Sequence, residues 1–252
     1  PGGKARYPST VLMTAIPATV AGVERIVLAT PPTRTGKIDP HLLVAARRAG
    51  IKEVYKVGGP WAIAALAYGT NAIPKVDVIV GPGNQYVTKA KELVQQYGVA
   101  IDMPAGPSEL LVIADPSCHP AYVASDLLSQ AEHGPDSQVI LISTSEKMIE
   151  RTLTEMKKQL TSLTRKKYAE MSLNHSKAFL VNSYDEMMEI VNTYAPEHLI
   201  ISTSNPDNLA EKVINAGSVF IGEYTPESAG DYASGTNHTL PTNGHAVAYS
   251  GV

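Results

Sequence analysis

The sequence predicts an α/β protein made of two parallel-sheet domains, 1–106 and 107–252. Three observations predict it. Short runs rich in Val, Ile and Leu alternate with helical segments of roughly 10–15 residues, as in parallel sheets covered on both faces. Glycine turns close several of the strand runs. The alternation breaks within "PAGPSE" (104–109) and then restarts, which marks the domain boundary. The 252 residues suffice for one large domain or two small ones.

The elements follow in order. "STVLMTAIPATVAG" (9–22) predicts a helix with Ser9 as N-cap, bent at Pro17. "RIVLAT" (25–30) is a buried strand. "DPHLLVAARRAG" (39–50) is a helix with Asp39 at the cap, Pro40 in its first turn and Gly50 past its end. "EVYKVGG" (53–59) is a strand entering a glycine turn, and "WAIAALAYG" (61–69) is a small, Ala-rich helix. "VDVIVGPGN" (76–84) repeats the strand-to-turn pattern, and "QYVTKAKELVQQYG" (85–98) is the next helix. After the break come a strand, 110–115, a helix, 120–134, and a strand, 138–144. A long charged helical region, 145–171, follows. The alternation continues as strand 178–181, helix 185–195, strand 198–202, helix 206–217 and strand 218–222. From 223 onward the chain is polar, Gly-rich and expected to be irregular. In such sheets ligands sit beyond the carboxyl ends of the strands, so the loops after strands and the polar tail are the informative places.

Composition excludes several classes. The net charge of −3 and the absence of a basic, aromatic-interleaved cluster give no general attraction to nucleic acid or anionic membranes. No apolar run approaches the roughly 18 residues a membrane span needs. Cys118 is the only cysteine, which fits a reducing compartment. The first residues, "PGGKARYPS", and the last, "HAVAYSGV", read as loop interiors. An excised piece of a longer protein is expected, with a processed terminus as the alternative.

Four constellations can carry chemistry. The turns "VGGPW" (57–61) and "VGPGN" (80–84) place glycines between a strand and a helix start, where backbone N–H groups can face a phosphate. Neither is a dinucleotide GxGxxG, and tight turns without a ligand read equally well. Gln130 and His133, three apart, share a helix face near "EHGP", and Asp231 in "SAGDYASG" could supply a third metal ligand. The bland reading is a histidine favoured by the helix C-terminal dipole. Glu197 and His198, adjacent before a buried strand, can divide acid–base work, or simply form a Pro-initiated polar turn. "GTNHTLPTNGH" (235–245) carries His238 and His245 in a loop whose composition suits either a site or solvent.

These residues lie in stretches that together resemble histidinol dehydrogenase. They are "PGGKARYPSTVLMTAIPA", "VGGPWAIAALAYGT", "KVDVIVGPGNQYVT", "IDMPAGPSELLVIAD", "DLLSQAEHGPDSQVIL", "YAPEHL" and "GSVFIGEYTPESAGDYASGTNHTLPT". They cover essentially the whole chain in family order. The resemblance implies two incomplete Rossmann-like domains of aldehyde-dehydrogenase-like type, an NAD-binding one at 1–106 and a truncated zinc and substrate domain at 107–252. It implies NAD-dependent oxidation of L-histidinol to L-histidine through a bound aldehyde, the last step of histidine biosynthesis, by a cytoplasmic, zinc-dependent homodimer. Gln130, His133 and Asp231 match zinc ligands. Glu197 and His198 match the catalytic pair. Ser108, Gln130, His133, His198, Asp231 and His238 match the substrate site, and Gly81, Gly83 and Asn84 part of the NAD site.

The chain also departs from the family pattern. Trp61 stands where many members have Gln, which bears on that NAD contact. The family's fourth zinc ligand, a His, and a nearby Glu lie beyond the last residue here. A Tyr near NAD lies before the first. With three zinc ligands where tetrahedral closure takes four, the 252 residues alone are expected to fold partly or wholly without turning over. Rival readings are a zinc hydrolase, with Glu197 acting on water, and a nucleotide-binding module that uses only the glycine turns.

Overall fold

The computed structural model describes residues 6–249. The chain divides into two compact units. The first comprises residues 6–106 together with Asn237–Thr239, and the second residues 107–236 and 240–249.

In the first unit, α1 (Pro8–Val20), β1 (Val27–Ala29), α2 (Pro40–Arg48) and β2 (Glu53–Tyr55) make one βα layer. α3 (Gly59–Tyr68), β3 (Val78–Ile79), α4 (Gln85–Val94) and β4 (Ala100–Ile101) make another. β1 pairs with β2 and β3 with β4, both parallel. Val11, Leu28, Leu42, Ala45 and Ala46 form one apolar cluster, and Ile63, Leu66, Ala67, Ile79, Val94 and Val99 the other. Asp39 caps α2 by accepting from the His41 N–H. Ser9 is not a cap: α1 begins one residue earlier at Pro8, whose missing N–H costs nothing in a first turn. Pro17 lies inside α1. β4 falls in a stretch for which the sequence predicts no element, because two residues are too few to show a period.

The second unit is a five-stranded parallel sheet in the order β7-β6-β5-β8-β9. The strands are β5 (Glu109–Ala114), β6 (Gln138–Ser143), β7 (Lys177–Leu180), β8 (His198–Ser202) and β9 (Ser218–Ile221). Every residue of β5 and β8 is buried, as expected of central strands covered on both faces. Side chains alternate between two cores. Leu110, Val112 and Ala114 meet Val123, Leu127 and Leu128 of α5 (Pro120–Ala131) and Met148 and Met156 of α6 (Glu146–Leu160). Leu111 and Ile113 meet Met187, Met188 and Val191 of α8 (Tyr184–Tyr194) and Leu209 of α9 (Pro206–Ala210).

Three expectations change. The charged helical region is two helices, α6 and α7 (Lys166–Leu173). Between them the Thr161 and Ser162 hydroxyls donate to the carbonyls of Lys158 and Gln159, ending α6 with side-chain bonds. α9 stops at Ala210 because Asn192 captures the segment after it. The Asn192 amide oxygen accepts from the N–H of Ile214 and Asn215, and its nitrogen donates to the Lys212 carbonyl. Finally, the polar tail is not wholly irregular: α10 (Glu227–Tyr232) lies within it.

The strand order turns back between β5 and β8, where a ligand would be expected at the carboxyl ends. That edge is filled. The Asp115 carboxylate accepts from the N–H and hydroxyl of Ser117, the N–H and hydroxyl of Ser204, and the Tyr184 hydroxyl. Cys118 packs beside it, directed at the Ser202 carbonyl.

Candidate functional site

In the second unit the predicted residues meet at the amino ends of β5 and β8, opposite the Asp115 knot. Parallel pairing sets Leu110 beside His198. That register brings the peptide unit of Glu109 against both members of the Glu197–His198 couple. The Glu109 N–H donates to Glu197 Oε2 at 2.8 Å, and the Glu109 carbonyl faces His198 Nδ1 at 3.2 Å. A carbonyl can only accept, so Nδ1 carries the proton and Nε2 the lone pair. Glu197 Oε2 lies 3.6 Å from Nδ1.

The chain reaches this point through an unusual turn. Ala195, at the end of α8, adopts φ +51°, a left-handed conformation that costs an alanine about 1–2 kcal/mol. Asn243 adopts φ +60°, and its N–H donates to Glu109 Oε1 at 2.9 Å. Among the described residues these are the two non-glycine positions with positive φ; Ala195 lies two residues before Glu197, and Asn243 binds the side chain of Glu109. Strain of this kind concentrates at functional sites. Gly217 closes the other side: a Cβ there would stand 2.5 Å from the Glu197 carbonyl oxygen.

Gln130, fully buried on α5, and His133, just past its end, are in contact at 3.2 Å. The orientation that satisfies the Gln130 amide directs its nitrogen at Glu227, at 2.6 and 3.0 Å from the two carboxylate oxygens. Its oxygen then accepts from His133 Nδ1. Glu227 stands at the start of α10, and Asp231 is one turn further on the same face. Glu227 Oε1 also lies 4.0 Å from His198 Nε2. Glu227 therefore bridges the Gln130–His133 pair and the Glu197–His198 couple. Sequence reasoning missed it. The available signal was its place four residues before Asp231.

The electrostatics are those of crowded buried acids. Burial, then the neighbouring carboxylates of Glu227, Glu109 and Asp231, raise Glu197 well above the usual carboxylate range. Burial, then Asp231 and Asp126, push Glu227 up to about 8. Burial raises Asp126 to about 7. Gln130, His133 and Asp231 offer an amide oxygen, an imidazole and a carboxylate, donors that fit zinc, the amide being the least common. A divalent cation would relieve the mutual repulsion of these acids. Among the described residues no set of three or more His, Cys, Asp and Glu side chains surrounds a common point, and the candidate set contains only two of those types.

Ser108 precedes β5, and its carbonyl accepts from the Gln138 N–H. His238 is half-buried and groups with the first unit, where neighbouring Asn237 donates to the Met13 carbonyl. In the first unit the turn 80–84 follows β3 at its carboxyl end. Its N–H groups are largely committed. Gly81 donates to Asp102, Gly83 to the Ala105 carbonyl, and Tyr86 and Val87 to the Asn84 side chain, which caps α4. Gly83 also lets the chain approach α4, because a Cβ there would meet Val87 at 2.3 Å. The turn is thus a pre-shaped surface with an exposed Asn84, and its donors do not form an open anion nest. Trp61 is exposed in the first turn of α3.

Two α/β units with parallel strands define a protein of aldehyde-dehydrogenase-like fold. The fold is shared with the Δ1-pyrroline-5-carboxylate dehydrogenase of Mycobacterium tuberculosis, at TM-score 0.57 and 10% identity over 95% of this chain and 60% of that one. The family model for histidinol dehydrogenase matches residues 1–252, and the chain belongs to that family. It is 61% identical to the histidinol dehydrogenase of Bacteroides thetaiotaomicron over all of its length and 59% of the relative's. The crystal structure of histidinol dehydrogenase from Elizabethkingia anophelis superposes at TM-score 0.95 and 56% identity, covering 100% of this chain and 58% of that one. The chain thus spans under two thirds of the length of these relatives.

Proposed function

We propose that these residues carry the NAD contact and most of the zinc and substrate site of an enzyme that oxidises L-histidinol to L-histidine in two successive steps. The observation that carries the reading is the double grip of the Glu109 peptide on Glu197 and His198, with Glu227 standing 4.0 Å from His198 Nε2 and beside the Gln130 amide. His198 Nε2 takes the hydroxyl proton, since Nδ1 is held by a carbonyl. Glu197 acts on the water that hydrates the aldehyde, and His198, once it has passed the first proton to solvent, takes the next proton in the second oxidation. Gln130, His133 and Asp231 would hold zinc, which would supply an anchor for the substrate, and NAD bound beside the turn 80–84 would supply the two-electron acceptor for each oxidation.

Ser108 and His238 belong to the substrate side of this reading, and Gly81, Gly83, Asn84 and Trp61 to the NAD side. With its N–H groups committed, the turn 80–84 meets NAD through its shape and the Asn84 amide. The Asp115 knot supports NAD in the first unit, because a buried carboxylate at the β5/β8 carboxyl edge repels phosphate. The complete protein acts as a cytoplasmic homodimer in this reading. No helix among the described residues is long and apolar enough to cross a membrane. The test is His198→Asn in the protein that carries these residues. NADH formation from histidinol falls by about 10²–10⁴-fold while NAD binding is retained. Histidinol oxidation at the wild-type rate would overturn the assignment, and zinc-dependent hydrolysis without NADH would favour a hydrolase.

A further inference from the structure

The least expected group in the first unit is Lys91. It lies on α4, a lysine with 1% of its surface exposed. Its ammonium donates to the Gly81 carbonyl at 2.8 Å, to the Met103 carbonyl at 3.0 Å, and to Asp102 Oδ1. All three ammonium hydrogens are thereby used. Asp102 Oδ2 accepts from the Gly81 N–H at 2.6 Å, and Oδ1 also accepts from the Met103 N–H at 2.7 Å. Both main-chain polar groups of Gly81 therefore end on one buried ion pair.

A buried pair is a poor device for stability alone, because desolvating two charges offsets most of their attraction and an apolar pair packs as well. An apolar pair, however, would leave the Gly81 N–H and carbonyl buried without partners. Gly81 stands at φ +110°, at the entry of the turn 80–84. The far side of that turn is fastened separately. The Gly83 N–H and the Thr88 hydroxyl both donate to the Ala105 carbonyl, at 3.2 and 3.0 Å. The turn's shape is thus set from beneath by Lys91–Asp102 and from the side by Ala105, before any ligand arrives.

We infer that Lys91 is a positioning residue for the cofactor turn: with Asp102 it fixes the Gly81 peptide so that 81–84 presents a formed surface to NAD. The inference rests on the NAD reading above. The experiment compares Lys91→Met, Asp102→Asn and Asn84→Ala in the protein that carries these residues, with NADH formation, NAD affinity, zinc content and thermal unfolding measured. Asp102→Asn keeps an acceptor for Gly81 and is the milder change if Lys91→Met does not fold. The expected result is a KM for NAD raised by about tenfold or more in Lys91→Met, and less in Asp102→Asn. The KM for histidinol, the zinc content and kcat at saturating NAD stay near wild type. A lower melting temperature with an unchanged KM for NAD, in whichever variant folds, would reduce the pair to a structural role and overturn the inference. If Asn84→Ala raises the KM for NAD and neither ion-pair variant does, the inference alone fails. If Asn84→Ala leaves it unchanged, the placement of NAD at this turn fails and takes the inference with it.

Discussion

Gly217→Ala tests whether the Glu197–His198 couple depends on main-chain placement. A Cβ at 217 would lie 2.5 Å from the Glu197 carbonyl oxygen, 3.3 Å from its carbonyl carbon and 3.3 Å from the Leu240 Cβ, where ordinary contact begins at 3.4 Å. The obstacle is backbone, which cannot rotate away as a flexible side chain can. Relief requires roughly 0.9 Å of movement between the two main chains. That peptide links Glu197 to His198. Its oxygen accepts from the Ser218 N–H at 2.9 Å, and Gly217 itself donates to the Pro196 carbonyl at 2.9 Å. His198 Nδ1 meets the Glu109 carbonyl at 3.2 Å, a contact that a displacement of this size disturbs.

Overpacking of this kind costs about 1–3 kcal/mol. Each kcal/mol lowers the melting temperature by about 2–4 °C for a protein of this size. Misplacing reacting groups by about 1 Å costs on the order of 10²-fold in rate. The assay, in the protein that carries these residues, is kcat for NADH formation at saturating histidinol and NAD, beside a thermal scan of the same preparation. The expected outcome is a loss of kcat much larger than the loss of stability implies at assay temperature. A wild-type kcat, with or without a lowered melting temperature, would refute the reasoning.

Two more outcomes follow from the same geometry. Burial alone would raise the Asp115 carboxyl, but the Ser117 and Ser204 donors outweigh it and hold the group down at about 2. Its folded value is depressed, so its stabilising contribution of about 2 kcal/mol is present above roughly pH 4 and is lost as pH falls towards 2. Asp115→Asn should flatten that part of the acid-unfolding curve, and an unaltered acid limb would remove Asp115 from the account. Glu227→Ala takes away the acceptor that orients the Gln130 amide. On the proposed zinc reading, zinc affinity of the protein that carries these residues, read by competition with a chelator, should weaken by about 10–100-fold, and unchanged affinity would separate Glu227 from the proposed metal set.

Local chemistry made much of the fold legible. Asp39-Pro40 announced α2 through its cap, and "HLIIS" announced β8 by its unbroken apolar run. Elements were misjudged where distant groups decided them. The short α9 is one case: Asn192, 20 to 23 positions earlier in the chain than the groups it binds, takes over the polar groups that would have continued the helix. α10 is another, since six residues in a polar, Gly-rich segment carry too little periodicity to read.

For the site, the sequence by itself determined the residue types, the i,i+3 spacing of Gln130 and His133, and the motifs that place the chain in its family. Those are local properties, fixed by composition and helix period. Tertiary structure alone decided where the chemistry sits. The carboxyl edge of β5 and β8 is closed by Asp115, so the candidate residues gather at the amino edge. Glu227 joins them from α10, a peptide at Glu109 orients the Glu197–His198 couple, and the buried Lys91–Asp102 pair holds both main-chain polar groups of Gly81 in the turn 80–84. Each depends on contacts between segments separated by 10 to 97 positions, and no local pattern of hydrophobicity or spacing encodes which of them will meet.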